Sequence, residues 1–509
     1  MIALCLAVGF VGLRLALIPW APTPKPVVHD ELSYLLQADT FASGRLTNPP
    51  HPDWRHFETL HVLNQPTYNS KYPPGQAVFL AVGQLLGHPW IGVLLGNGLM
   101  LAALFWALCG AVSPRWALLG SVLAGLRFGV VDYWVNGYMG GCVAAIGGAL
   151  ALGAAMRMTR APLTRDALAL GAGLVLLANS RPWEGLAAAI PLVLFVAICA
   201  LAWRGSDRLR VGVAFGVVLT LGIAGMGVYN HAVTGSALRL PYVEYNGQYQ
   251  HYPYLFGESM VEKASIEQEC IASYADQRER VLYERSGQAY TYFKDKYAGL
   301  RYAVNFYCGR LLAVFFLAVA WTGWRNKMAL PVLVCLAVAG FSALERVPVS
   351  PHYVAPAMAA IWIVLVLCLR TTFRLRRGDL PVGPAVVGIA VFGTVVWLAI
   401  SISDGVGGSN SELFQRQLAG MEHRFRLESN LGESPGADLV FVKCDPTDTL
   451  NTVWVYNGAD IDSQSVIWAN DRGAERNAAL ARRYPNRRSW SVRSGTATPD
   501  VQPLEPLSD

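Results

Sequence analysis

Residues 1–34 read MIALCLAVGFVGLRLALIPW APTPKPVVHDELSY. The apolar run from Met1 to Trp20, interrupted only by Arg14, is long enough to cross a bilayer. A proline-rich stretch follows (Pro19, Pro22, Pro24, Pro26), and then the acidic pair Asp30-Glu31. Two carboxylates at a bilayer surface are costly to desolvate, so a membrane chain that holds them there points to chemistry. The plainer reading is that Asp and Glu complement the dipole in the first turn of any helix.

The rest of the chain makes the membrane setting general. Of 509 residues, 53% are hydrophobic and only 15% charged, and the mean hydropathy is +0.33. That composition fits a polytopic membrane protein and not a soluble enzyme. Apolar runs at 1–20, 90–112, 116–131, 140–156, 165–179, 184–203, 210–231, 301–323, 328–345, 352–369 and 381–402 predict a mainly α fold of about eleven transmembrane helices. Met1–Trp20 is read as a retained span and not a cleaved signal.

Orientation follows from the short basic loops. Arg115, then Arg157, Arg160 and Arg165, then Arg204, Arg208 and Arg210, then Arg325 and Lys327, and finally Arg370, Arg374, Arg376 and Arg377 fall on one side. The positive-inside rule makes that side cytoplasmic. Segments 21–89, 232–300 and 403–509 then face outward, provided 73–87 lies at the outer surface instead of crossing. The pI near 8.8 is explained by the basic loops, so no nucleic-acid partner is implied. Most cysteines fall within spans and read as packing residues; Cys270 and Cys444 lie outside, and a disulfide between them is open.

Two domains are expected. Residues 1–403 form the membrane body with outer loops 21–89 and 232–300. Residues 404–509 form a small extracytoplasmic α/β domain, opened by the linker Asp404-Gly405-Val406-Gly407-Gly408-Ser409. Within it, helices are expected at 411–429 and 474–483, and strands at 439–442, 453–455, 466–468 and 490–492.

The first outer loop carries the most chemistry. Leu32, Leu35, Leu36 and Phe41 recur at helical spacing and predict an amphipathic helix lying on the membrane. Further on, Tyr68-Asn69-Ser70-Lys71-Tyr72-Pro73-Pro74-Gly75 places Lys71 before a double-proline break. Its ammonium would meet an anion such as a lipid phosphate, or simply snorkel at the interface. Asp132 and Asn136 are four apart, a spacing that directs both to one cavity, although Tyr133, Trp134 and Tyr138 also read as interfacial belt aromatics. Arg181 and Glu184 are three apart and suit either a site or a mutual ion pair. Arg127 and Arg310 fall inside expected spans, where an arginine wants an anionic partner. Pro351-His352-Tyr353 opens a span on the outer side, with His352 and Tyr353 as site candidates. Tyr242, Tyr245, Tyr249, Tyr252 and Tyr254 suit stacking on sugars or packing on a membrane. A zinc site from His51, His56 and His61 is conceivable, but the spacing matches no strong ligand pattern.

Taken in order, the first span, the Asp-Glu loop, the Lys-Tyr-Pro-Pro-Gly run, Ser180-Arg181-Pro182-Trp183-Glu184-Gly185 and Pro351-His352-Tyr353-Val354-Ala355-Pro356 resemble the GT-C membrane glycosyltransferases. The likeness is to the protein O-mannosyltransferase group that includes the lipid A aminoarabinose transferase, in a mostly uncharacterised bacterial branch. It covers residues 1–403. It implies a polyprenyl-phosphate-sugar donor and transfer on the periplasmic face of the bacterial inner membrane. Asp30 then matches the loop-one acid that acts as general base, Glu31 its neighbour, and Lys71 the lysine on the donor phosphate. Tyr72 falls beside that lysine, and Asp132 roughly matches a second acid near the site. In-line displacement inverts the anomeric centre. The scheme requires no metal, and a divalent ion stays open. By this reading a glycan, a lipid and a protein acceptor look alike. Two other classes compete: a flippase for lipid-linked sugars, which would spread polar groups through the membrane and often carry a repeat, and a membrane-anchored envelope scaffold.

Overall fold

The computed structural model describes residues 1–258, 260, 266–319, 328–403, 412–432, 436–445, 454–494 and 501–504, with the side chains of 412–417 excepted. The expected linker Asp404–Ser409, the basic pair Arg325 and Lys327, and Val453 lie outside the described residues.

The chain opens with α1 (Ile2–Ala16), α2 (His29–Ala42), a two-strand ribbon of β1 (Val62–Leu63) and β2 (Asn69–Ser70), and α3 (Gly75–Leu85). The body continues with α4 (Pro89–Ala111), α5 (Pro114–Phe128), α6 (Cys142–Met158), α7 (Thr164–Ala178), α8 (Pro182–Ala200) and α9 (Gly205–Thr234). Next come α10 (Pro241–Tyr249), α11 (Glu269–Tyr274), α12 (Val281–Gly287), α13 (Ala289–Tyr307) and α14 (Gly309–Ala313). The body closes with α15 (Ala329–Ser342), α16 (Pro351–Phe373) and α17 (Val382–Ser403).

Every expected span falls on a helix, yet the count of eleven is not met by length and composition. Among the described residues five helices are long and apolar enough to cross a membrane: α4, α8, α9, α16 and α17. A sixth arises if α13 and the turns after it, bent by 97°, count as one span. The others are short. α5 and α7 have 15 residues each, about 22 Å of rise against a hydrocarbon layer of about 30 Å. At the bend, Gly309 takes φ +65°, and a Cβ there would sit 2.9 Å from the Arg127 guanidinium carbon. Among the described residues Arg127 makes no ion pair. It donates to the Asn305 carbonyl and stacks 3.5 Å from the Trp397 ring centroid. Arg310 is exposed.

α2 corrects an expectation. It does not lie on the membrane with one free face. Leu32 and Leu36 enter one apolar cluster, and Tyr34 and Ala38 another on the opposite side. Two of its buried polar side chains donate to carbonyls of the first loop. Ser33 Oγ donates to the His61 carbonyl at 2.7 Å, and Gln37 Nε2 to the Tyr72 carbonyl at 3.0 Å. By contrast α3 exposes Val78, Val82, Leu85 and Leu86 while burying Ala77, Leu80 and Ala81, the pattern of a surface-lying helix.

The tail contains α18 (Glu412–Gly432), α19 (Ala474–Arg483) and a four-stranded sheet: β3 (Ala437–Lys443), β4 (Val466–Asn470), β5 (Arg487–Arg493) and β6 (Val501–Pro503), in the order β4-β3-β5-β6. β3 is parallel to both neighbours, with Val440 opposite Trp468 and Trp490, and β6 is antiparallel. Trp454 and Val455 are buried but form no strand. The carbonyls of Trp454 and Tyr456 accept instead from the buried Arg424 guanidinium, each at 3.0 Å, so a side chain takes the place of a ladder partner. One apolar cluster runs from Phe57, Leu60 and Val62 of the first loop into Phe441, Trp468 and Ile271. Cys270 and Cys444 are joined by a disulfide, Cα–Cα 5.8 Å.

Candidate active site

The N-terminus of α2 separates the two acids by function. Glu31 sits at the third helical position. Its Oε2 accepts from the Val27 N–H at 2.7 Å and the Val28 N–H at 3.2 Å, and its Oε1 from the Tyr138 N–H at 2.7 Å. The carboxylate thus caps the helix and pins loop 129–141 to it. It does not line the cavity described next. Asp30, one residue earlier and so about 100° around the helix, does.

That cavity has a volume of about 480 Å³. Asp30, Lys71, Tyr72, Arg181, Glu184, His352 and Tyr353 all line it. Segments far apart in sequence therefore converge, from the first loop, the α7–α8 turn and the start of α16. Asp132 and Asn136 do not line it. Asn136 Oδ1 accepts from Arg14 Nε at 2.6 Å, and its amide donates to the Val130 and Asp132 carbonyls. Arg14 is buried and also donates to the Ala21 carbonyl at 3.0 Å. Asn136 thereby compensates the one charge in the first apolar run. Asp132 caps its own turn, Oδ1 accepting from the Tyr133 N–H at 2.7 Å.

Asp30 accepts a hydrogen bond from the Tyr72 hydroxyl, and Tyr72 stacks on Tyr34 at 4.5 Å. Burial opposes its charge, but His61, the Tyr72 hydroxyl, Lys71 and His29 outweigh it and hold the carboxyl well below the usual range. Asp30 is ionised at neutral pH. Lys71 is 4% exposed. Its Nζ lies 4.6 Å from the ring centroid of Tyr245, 5.0 Å from Tyr242 and 5.3 Å from Tyr72. Among the described residues no acid lies within ion-pair distance of it. Burial pulls its pKa down to about 8, against the opposing pull of Asp30 and Glu279.

Arg181 and Glu184 approach to 3.8 Å, and the Arg181 guanidinium lies 5.1 Å from the Tyr353 ring. They are both a pair and part of the wall. His352 Nδ1 bonds the Tyr133 hydroxyl at 3.0 Å.

Three further wall residues were not among those expected at this site. Arg278 lies in the polar run 275–280, which reads as any solvated face. Glu345 is pushed up to about 8 by burial and by Glu184, so it is largely neutral at pH 7. His61 takes φ +66°, a left-handed backbone unusual for a residue with a Cβ. Its carbonyl accepts from Ser33 Oγ and from the Lys71 N–H at 3.1 Å, and its own N–H donates to the Tyr245 hydroxyl at 3.0 Å. Burial and Lys71 push its imidazole down, against the opposing pull of Asp30. With Arg181 offset by Glu184, the unpaired balance is Lys71 and Arg278 against Asp30, which favours an anionic ligand.

The three histidines weighed for zinc part company. His51 packs on Phe57, His56 on Phe441, and only His61 reaches the cavity. Among the described residues no three His, Cys, Asp or Glu groups converge as metal ligands.

No protein-family model matches the chain, and no curated protein matches it. Solved structures do. The oligosaccharyltransferase of Archaeoglobus fulgidus in complex with zinc and sulfate is 12% identical, over 97% of this chain and 68% of that one, with a TM-score of 0.50. The same enzyme tethered to an acceptor peptide is 11% identical over 96% and 69%, with a TM-score of 0.49. Among the described residues Asp30 stands beside Lys71 and Arg278 without a second carboxylate aimed at the same point, because Glu31 is taken up by backbone N–H groups, and such a donor set suits an anion better than a divalent cation. At such identity the likeness reaches no further than architecture: this chain is similar in fold to that archaeal oligosaccharyltransferase.

Proposed function

We propose that the protein is an inverting glycosyltransferase that moves a sugar from a polyprenyl-phosphate donor to an envelope acceptor. The reading rests on one observation. An ionised carboxylate, Asp30, and Lys71, which makes no ion pair among the described residues, face one tyrosine-walled cavity beside Arg181 and Arg278. The GT-C-type fold supports it.

Such transfer needs a base for the incoming hydroxyl and positive charge for the departing phosphate. Asp30 takes the proton of the acceptor hydroxyl as its oxygen attacks the anomeric carbon. The glycosyl–phosphate bond breaks on the opposite face. The electron pair leaves with the lipid phosphate, whose charge Lys71 and Arg278 meet. Tyr72 orients Asp30 and Tyr353 supports Arg181. Tyrosine faces suit the sugar ring. The membrane body 1–403 carries this chemistry at the end where the long loops gather, with 404–509 as a small domain on the same side that shares an apolar core with those loops. The buried disulfide between the second loop and the tail supports an oxidising, periplasmic setting at a bacterial inner membrane.

The test is transfer of radiolabelled sugar from synthetic polyprenyl-phosphate sugars, by purified protein in lipid with an envelope acceptor extract. Parent activity that Asp30→Asn lowers by about 10²–10⁴-fold is expected. Equal activity in Asp30→Asn removes the base. Transport of the donor across vesicles without transfer would replace the enzyme with a flippase.

A further inference from the structure

We propose that the carboxyl edge of the tail sheet is a positioning platform for the cavity wall, clamped by the Cys270–Cys444 disulfide. The proposal rests on the transferase reading above.

Three bonds fix the segment just before Tyr274 and Arg278 to that edge. Cys444 follows β3 directly and bonds Cys270. Asn470, the last residue of β4, accepts from Gln268 Nε2 at 2.9 Å. Arg472 Nη2 donates to Glu267 Oε2 at 2.8 Å. Gln268 also caps α11, its Oε1 accepting from the Ile271 N–H at 2.6 Å, and Ile271 is buried in the shared apolar cluster. One helical turn beyond Cys270 stands Tyr274, and one turn beyond that Arg278, both in the cavity wall.

The same edge holds the other wall. Asn470 Nδ2 donates to the His56 carbonyl at 3.1 Å and the Glu58 carbonyl at 2.7 Å, and the Tyr456 hydroxyl donates to the Leu60 carbonyl at 2.7 Å. Those carbonyls lead directly into His61 and its strained backbone. Asn470 therefore touches both flanks of the cavity approach without entering it. The tail acts on donor binding by holding Arg278 in place, not by meeting the donor.

The experiment compares parent, Cys270→Ser/Cys444→Ser and Asn470→Ala, with the parent also reduced after folding by dithiothreitol. Reduction after folding separates the clamp from any folding defect, and thiol labelling verifies that the bond has opened. Opening the clamp should raise the donor KM by about tenfold with kcat changed much less, through loss of loop constraint. Dithiothreitol should have no further effect on the double variant. Amide exchange over 268–278 is read in the same samples and should quicken. Unchanged donor KM in fully reduced, active parent overturns the proposal. If no donor is transferred by any form, the transferase reading has failed, and exchange alone decides: faster exchange at 268–278 supports the clamp, and unchanged exchange overturns it.

Discussion

Lys71 carries a titration that should be visible in the rates. Its pKa is near 8 because the ammonium is buried among aromatic rings. The group is charged below that value and loses its charge as pH rises through it. With Asp30 ionised throughout, kcat/KM for the donor should be flat from about pH 6 to 7.5 and fall above about 8. Lys71→Arg should carry that limb upward by at least one pH unit, since a guanidinium stays protonated; an unmoved limb would assign it elsewhere. Lys71→Ala should lower donor kcat/KM by about 10²–10³. Glu31→Gln should behave differently from Asp30→Asn. It leaves a backbone donor without its carboxylate and should cost about 1–3 kcal/mol of stability, seen in thermal unfolding. Asp30 and Lys71 were legible because one loop held both charge types at the interface. Glu31 was legible as acidic but not as a cap, since only the fold brings the Tyr138 N–H to it. Arg278 was hidden, because the cavity that gives it meaning is walled by segments far away in sequence.

At the level of elements, spans and boundaries read well where apolar length alone decides, as in α4, α16 and α17. Bent or short helices read poorly. Nothing local announces the 97° turn at Cys308, which depends on Gly309 meeting Arg127 of another helix. The expectation that α2 lies on the surface came from Leu32, Leu35, Leu36 and Phe41, which suggest one apolar face; Ser33 and Gln37 are buried on carbonyls supplied elsewhere, and Thr40 accepts from Asn48 Nδ2. The junction of α3 with the α7–α8 turn offers a direct test. The Gly75 N–H donates to the Asn179 carbonyl at 2.7 Å, and a Cβ on Gly75 would lie 2.5 Å from that oxygen. Gly75→Ala should cost about 1–3 kcal/mol by overpacking. It should also lower donor kcat/KM, because the displaced turn carries Arg181. Thermal unfolding and donor kinetics on the same preparation check both.

Across the whole molecule, the first loop, the second loop and the tail share one apolar core with Ile271, Trp468 and Phe57 in it. The tail's strands were legible from their apolar runs, but this shared core was not, since no local pattern says which surface a buried strand faces. Truncation after Gly432 should therefore weaken donor binding itself, by about tenfold or more, as the wall loses its support. Unchanged donor binding with altered acceptor choice would instead make the tail a selector. The sheet's topology gives the arrangement a wider meaning. In open parallel sheets the crevice beyond the strands' carboxyl ends is where a nucleotide or other small guest usually rests. Here Cys444 and Asn470 occupy that crevice with the protein's own loops. The tail grips polypeptide where an open parallel sheet usually holds a small guest, so its guest is covalently part of the host and never dissociates.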